Sequence, residues 1–176
     1  SALAAAPVVK ELGIPVRAVN WVRLHPGRGA DGKASLLASM GQNNGGLFVV
    51  DIDLDNGHCR QFNAPSGKMQ YPTASFRSPR SGILYVGEHT TGHLLRYDPT
   101  HPERGLEDLG TIDGDHATFP TGITETPDGL LWIGEAVEQL EVLGDLGQLA
   151  GDLAGGVGVV PEVGAGGLGL ELGPGA

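Results

Sequence analysis

An all-β fold is what this 176-residue sequence predicts, and three observations predict it. Tyr71-Pro72-Thr73, Pro79 and Leu84-Tyr85-Val86-Gly87-Glu88 recur as Phe119-Pro120-Thr121, Pro127 and Leu131-Trp132-Ile133-Gly134-Glu135, displaced by 48 residues at the start of the unit and by 47 at its end. An earlier unit is fainter: Gly45-Gly46-Leu47-Phe48-Val49-Val50-Asp51 matches Gly92-His93-Leu94-Leu95-Arg96-Tyr97-Asp98 at a spacing of 47. Within each unit the apolar segments are short, rich in β-branched and aromatic residues, and bounded by turn pairs such as Asn56-Gly57, Asp98-Pro99 and Asp128-Gly129. A fixed period of this length marks a stacked or radial array, and four short antiparallel strands in about 40 to 50 residues make one propeller blade. The sequence therefore predicts a partial β-propeller of two to three four-stranded antiparallel blades, followed by an irregular Gly-rich C-terminal tail. A β-sandwich with chance self-similarity is the rival.

In chain order, residues 1–19 form an N-terminal segment whose Ser1-Ala2-Leu3-Ala4-Ala5-Ala6-Pro7 has the small residues of a cleaved export signal. A secreted or periplasmic location is expected on that basis, with a cytoplasmic one as the alternative. Residues 20–135 carry about two and a half blade repeats, with strands expected near 35–40, 47–52, 58–63, 72–77, 83–88, 93–98, 106–110, 121–126 and 130–135. Residues 136–176 form an acidic tail with 12 glycines and no Lys, Arg, His or aromatic residue. Blade strands need aromatic and β-branched residues to pack their faces, so this segment does not read as blade. Its composition is what a change of reading frame just after Glu135 would produce. Leu140, Leu143, Leu146, Leu149 and Leu153 recur at near-helical spacing, but Gly144, Gly147 and Gly151 interrupt them, each at about 1 kcal/mol relative to Ala. Beyond Gly155 the segment reads as low-complexity and disordered.

A blade buries each sheet face against a neighbour, and ring closure hides the edge strands. A ring of roughly six to eight such units would need on the order of 280 to 380 residues. Either missing blades or another chain is thus needed to close the ring. The formal net charge of −10 divides into +3 over residues 1–104 and −13 over residues 105–176, and no basic stripe with interleaved aromatics appears, which argues against nucleic acid as a partner. No apolar run approaches the roughly 20 residues that span a bilayer, so no membrane partner is expected. The single cysteine, Cys59, excludes an internal disulfide and reads as a small buried strand residue.

Residue types that recur at equivalent positions read as scaffold, and those that do not are free for chemistry. Tyr71 with Phe119, Pro72 with Pro120, Tyr85 with Trp132 and Gly87 with Gly134 are scaffold by this test. Glu88 with Glu135 reads as a strand-end hydrogen-bond acceptor. His89, His116 and Arg77 do not recur and are the candidate catalytic residues. Histidine exchanges a proton near neutrality, and arginine clamps a carboxylate through two parallel hydrogen bonds. Such a set could hold an acidic sugar and abstract the proton beside its carboxylate. His93, Asn43 and Asn44 are candidate substrate-binding residues, although the plainer reading of the two asparagines is the turn chemistry of a tight hairpin. Asp51, Asp53 and Asp55 alternate as in a calcium loop but lack the following Glu, and read as a strand end entering the Asn56-Gly57 turn.

Residues 87–99, Gly-Glu-His-Thr-Thr-Gly-His-Leu-Leu-Arg-Tyr-Asp-Pro, and residues 120–134, Pro-Thr-Gly-Ile-Thr-Glu-Thr-Pro-Asp-Gly-Leu-Leu-Trp-Ile-Gly, resemble blades of the broad propeller group that includes streptogramin lyases and gluconolactonase-type proteins. The resemblance is closer to seven-bladed propellers that cleave rhamnose–glucuronate linkages as lyases or rhamnosidases, and it covers about residues 20 to 135. It implies a carbohydrate-active enzyme acting on uronic-acid-containing polysaccharide, with an acidic polysaccharide or oligosaccharide as partner and a catalytic histidine near the ring axis, matched here to His89. Two alternatives stand beside it. One is a lactonase or streptogramin-lyase-like propeller holding a divalent cation on axial carboxylates such as Glu88 and Glu135; the other is a non-catalytic propeller scaffold.

Overall fold

The computed structural model describes residues 21–42, 45–112, 118–137 and 157–160. They fold into antiparallel sheets in three groups. The first holds β1 (Trp21–Arg28), β2 (Ala34–Gln42), β3 (Gly46–Asp53) and β4 (Cys59–Asn63), side by side in that order. The second holds β5 (Pro72–Arg77), β6 (Leu84–Glu88), β7 (His93–Tyr97) and β8 (Leu106–Thr111), again in chain order. The third holds β9 (Thr118–Glu125), β10 (Leu131–Val137) and β11 (Val157–Val160), ordered β11-β10-β9. Two meandering four-stranded sheets and a three-stranded one are the blade-like units that the repeat predicts, and the described residues form no closed ring.

The alternation of side chains along each strand decides which blade each face meets. Leu37, Leu47 and Val49 of the first sheet pack with Leu84, Val86, Leu95 and Tyr97 of the second, and Met69 and Leu106 complete that core. From the second sheet's other face, Tyr85 and Leu94 pack with Leu131 and Ile133 of the third. Consecutive residues such as Leu84 and Tyr85 thus serve different interfaces, which is why these short strands are apolar on both faces. Ala38, Met40, Phe48, Val50 and Ile52 form a further buried cluster on the opposite face of the first sheet. Of the strands that begin each sheet, β5 approaches both β1 and β9, as the innermost strands of adjacent blades do.

Two strands lie outside the sequence expectation. β1 pairs with β2 along its whole length, from Trp21 opposite Gly41 to Arg28 opposite Ala34, despite Pro26 and Gly27. An edge strand tolerates proline because its outward N–H needs no ladder partner. β11 adds a short strand within the tail: Val157-Gly158-Val159-Val160 carries β-branched residues and pairs with β10, whose outer edge the rest of the third unit leaves open. The expected position of Cys59 is corrected. It stands at the exposed start of β4, where its thiol donates to the Gly57 carbonyl at 3.4 Å. Asp53 ends its strand as expected, with its carboxylate accepting from the Asp55 N–H at 2.8 Å and from the Asn56 side chain at 2.9 Å.

Candidate functional site

The candidate residues divide between opposite ends of the sheets. Antiparallel pairing places Pro72 opposite Glu88 at one end of the second sheet and Arg77 opposite Leu84 at the other. At about 3.3 Å per residue, the two ends of β5 are some 17 Å apart.

The first end is organised by Glu88, which is fully buried. One carboxylate oxygen accepts from the backbone N–H of Gln70 at 2.9 Å and of Thr90 at 2.6 Å. The other accepts from the N–H of Thr91 at 2.8 Å and from its hydroxyl at 2.7 Å. Burial by itself pushes the carboxyl upward, but the bonds from Thr91, Gln70 and Thr90 together outweigh it and hold Glu88 below its ordinary value. Glu88 is therefore the strand-end acceptor, tying the segment that enters β5 to the β6–β7 turn. With four donors on its two oxygens, it has little capacity left for a cation, and the metal-holding alternative loses one of its two ligands on this chain.

His89 follows directly on that anchor. Its backbone N–H donates to the Tyr71 carbonyl at 3.1 Å, and its ring stands edge-on to the Tyr71 ring, with centroids 6.3 Å apart at 62°. His93 begins β7 on the far side of the same turn, where its Nδ1 bonds the two Asp108 carboxylate oxygens at 2.8 and 2.9 Å. A carboxylate on Nδ1 fixes the imidazole and leaves Nε2 as the nitrogen able to take a proton. The structure brings His89 and His93 to one end of the second sheet. His116, Asn43 and Asn44 lie outside the described residues.

Arg77 is not part of that end. Its guanidinium donates to the carbonyls of Gly82 at 3.1 Å, His25 at 3.3 Å and Arg28, and to the Ser35 hydroxyl at 3.5 Å. It bridges β1 and β5 across the first blade interface, over Gly27, where any Cβ would run into the guanidinium. Its donors are spent on protein carbonyls, so the carboxylate clamp expected of it is replaced by a structural role.

The same interface holds a polar chain that reading the sequence missed. The Ser39 hydroxyl donates to Ser75 at 3.2 Å, and Ser75 Oγ lies 2.7 Å from His25 Nε2. A hydroxyl has one proton and two lone pairs, so the Ser75–His25 bond runs either way with the imidazole tautomer, and Ser75 donates to Nε2 only in the neutral form that leaves this nitrogen unprotonated. Burial first, then the Arg77 and Arg23 charges, pushes the His25 imidazole down and favours that neutral form. The signal was present in the alternation Thr73, Ser75, Arg77 against Ala74, Phe76, but only a strand at β1 gives those polar groups a neighbour. A second polar seam joins the same blades: the buried Tyr97 hydroxyl donates to Asp51 at 2.9 Å, and Arg60 pairs with the same carboxylate oxygen at 2.7 Å.

A cleft of about 420 Å³ opens at the end of the first sheet away from His89, lined by Asp31, Lys33, Asp51, Asp53, His58 and Arg60 among others. Its carboxylates and cations partly neutralise one another, and Asp51 is already committed to Tyr97 and Arg60. Among the described residues no group of three or more His, Cys, Asp or Glu converges as a metal site, and no helix is long and apolar enough to cross a membrane.

No family model matches the chain, and no curated protein or solved structure matches it significantly. The blade-like fold therefore rests on the internal repeat and on the sheets themselves.

Proposed function

We propose that this chain is a blade-bearing part of a carbohydrate-active β-propeller, a lyase or hydrolase of uronic-acid-containing polysaccharide, with the sheet end at His89 facing the ligand. One observation carries the reading. His89, edge-on to Tyr71, and the Asp108-held His93 flank a single turn that Glu88 fixes through four hydrogen bonds. Imidazoles at a rigid strand end can exchange protons with a sugar, and an aromatic ring beside them offers a face for its C–H groups. Arg77 takes no part, so the cation that meets a uronate carboxylate would come from the blades that complete the ring. Export, which would bring such a protein to extracellular polysaccharide, belongs to the same proposal.

Titration of the full chain with a rhamnose–glucuronate oligosaccharide, followed residue by residue in amide NMR spectra, tests this. Shifts concentrated at 70–73 and 88–93, and at least about fivefold weaker binding by His89→Ala, are expected. Saturable shifts confined to other surfaces, or none at millimolar sugar, would remove the reading.

A second reading, the non-catalytic scaffold, is favoured by the way Arg77 and Glu88 are used. Both of these charged residues direct their side-chain hydrogen bonds to holding blades and turns together. It predicts no sugar response at all and an intact fold in His89→Ala.

A further inference from the structure

Each of the three sheets carries a glycine near the end of its second strand, on the face turned toward the following blade. They are Gly41, Gly87 and Gly134. Two of the three are filled by a proline from the next sheet. A Cβ at Gly87 would stand 2.6 Å from Cβ of Pro120 and 3.1 Å from its Cγ, distances that leave no room for one. A Cβ at Gly41 would stand 2.9 Å from Cδ of Pro72 and would also run into the Gln70 carbonyl oxygen. In both cases the proline lies in an aromatic-Pro-Thr triplet that opens an inner strand, Tyr71-Pro72-Thr73 at β5 and Phe119-Pro120-Thr121 at β9.

The third socket differs. Among the described residues, the nearest atom to a Cβ built at Gly134 is the Thr121 hydroxyl oxygen at 3.5 Å, which belongs to the same sheet. Beside it stands Trp132, the repeat counterpart of Tyr85. Tyr85 is 3% exposed and packs with Leu131 and Ile133 of the following sheet, whereas Trp132 is 37% exposed. Thr124, directly opposite Trp132, and Gly122, directly opposite Gly134, are exposed as well, and a Cβ at Gly122 would meet nothing within 4 Å. A socket, an exposed tryptophan and an unfilled glycine thus share a blade face on which no described sheet packs.

We propose that the face formed by Gly122, Thr124, Trp132 and Gly134 seats a further blade from outside these 176 residues, whose inner strand opens with an aromatic-Pro-Thr triplet and sets its proline over Gly134. The partner must also present aliphatic side chains where Leu131 and Ile133 meet Tyr85, because that is how the preceding interface of this chain covers the same position. The sequence contains the triplet only at 71–73 and 119–121, both already seated, and residues 136–176 contain no aromatic residue. The chemistry therefore has to come from outside the sequence. The inference rests on the blade architecture and is independent of the carbohydrate reading.

The test offers the intact chain, with Trp21→Phe so that Trp132 is the only tryptophan, a synthetic polypeptide of residues 71–112 as probe blade. Seating is expected to shift Trp132 emission to shorter wavelength and to cut its quenching by iodide several-fold. Either Pro72→Ala in the probe or Gly134→Ala in the chain should weaken binding about tenfold, the first by emptying the socket and the second by overfilling it. The circular dichroism spectrum of Gly134→Ala, unchanged, separates this from misfolding. The same probe joined after Ala176 by a Gly/Ser linker raises its local concentration to roughly millimolar, so a free probe that does not fold unaided leaves the question open to measurement. The proposal is overturned if Trp132 stays as quenchable in the tethered protein as in the chain alone, or if the alanine variants bind as well as their parents.

Discussion

Replacing Glu88 by glutamine keeps the shape of the side chain and removes its charge from a fully buried site. The carboxylate receives four hydrogen bonds, two on each oxygen, between 2.6 and 2.9 Å. A glutamine retains one oxygen, so its amide NH2 must face two N–H or O–H donors that it cannot accept from. Bonds to a charged acceptor contribute about 1.5 to 3 kcal/mol each, and the lower cost of burying a neutral amide returns part of the loss. The expected net destabilisation is about 3 kcal/mol, roughly a hundredfold in the folding equilibrium. Urea unfolding followed by circular dichroism and tryptophan fluorescence measures it. The pH dependence supplies an independent check. Glu88 is held below its ordinary value in the folded chain, so its contribution is fully present above the unfolded-state value of about 4.3 and is lost as pH falls through the folded one. The gap between wild type and Glu88→Gln should therefore be widest at neutral pH and narrow as pH falls below about 4.3. A variant within about 0.5 kcal/mol of wild type, or a gap that does not narrow in acid, would refute the anchoring role.

Arg77→Lys should cost about 1 to 3 kcal/mol, since one ammonium cannot serve three carbonyls held by a planar fork; unfolding midpoints with an unchanged m-value check it. Gly27→Ala should destabilise the wild-type chain through its clash with the guanidinium but cost markedly less in an Arg77→Ala background, a coupling of about 1 kcal/mol or more in a double-mutant cycle. Tyr97→Phe removes only the hydroxyl that donates to Asp51 at 2.9 Å and should lose about 1 to 2 kcal/mol, with Asp51→Asn in the Tyr97→Phe background costing less than in wild type.

The nine strands expected from repeat and turn signals are all present, because the information for them is local. Alternating apolar residues need a sheet face, and pairs such as Asn56-Gly57 and Asp98-Pro99 end it. β1 escaped because Trp21–Arg28 contains Pro26 and Gly27 and has no visible counterpart in the other units; only pairing with β2 makes it a strand. β11 escaped because four residues of Val-Gly-Val-Val in a Gly-rich segment become a strand only beside an open edge. For the candidate site the limits were of another kind. His89 and His93 could be placed at one sheet end from the sequence, since a single short turn separates them. Arg77 could not be separated from them, because its distance depends on register and its role depends on carbonyls of a strand 49 residues away.

The sequence by itself determined the all-β class, the blade period and the use of Glu88 as a strand-end acceptor, each of which follows from neighbours within one repeat. Tertiary structure alone decided the partners across blades. Arg77 crosses to β1, Ser75 meets His25, Tyr97 meets Asp51, and Pro72 and Pro120 lie over Gly41 and Gly87. Those partners are set by how one twisted sheet stacks on the next. That stacking brings together residues about 30 to 50 positions apart in the chain, at distances no local pattern encodes.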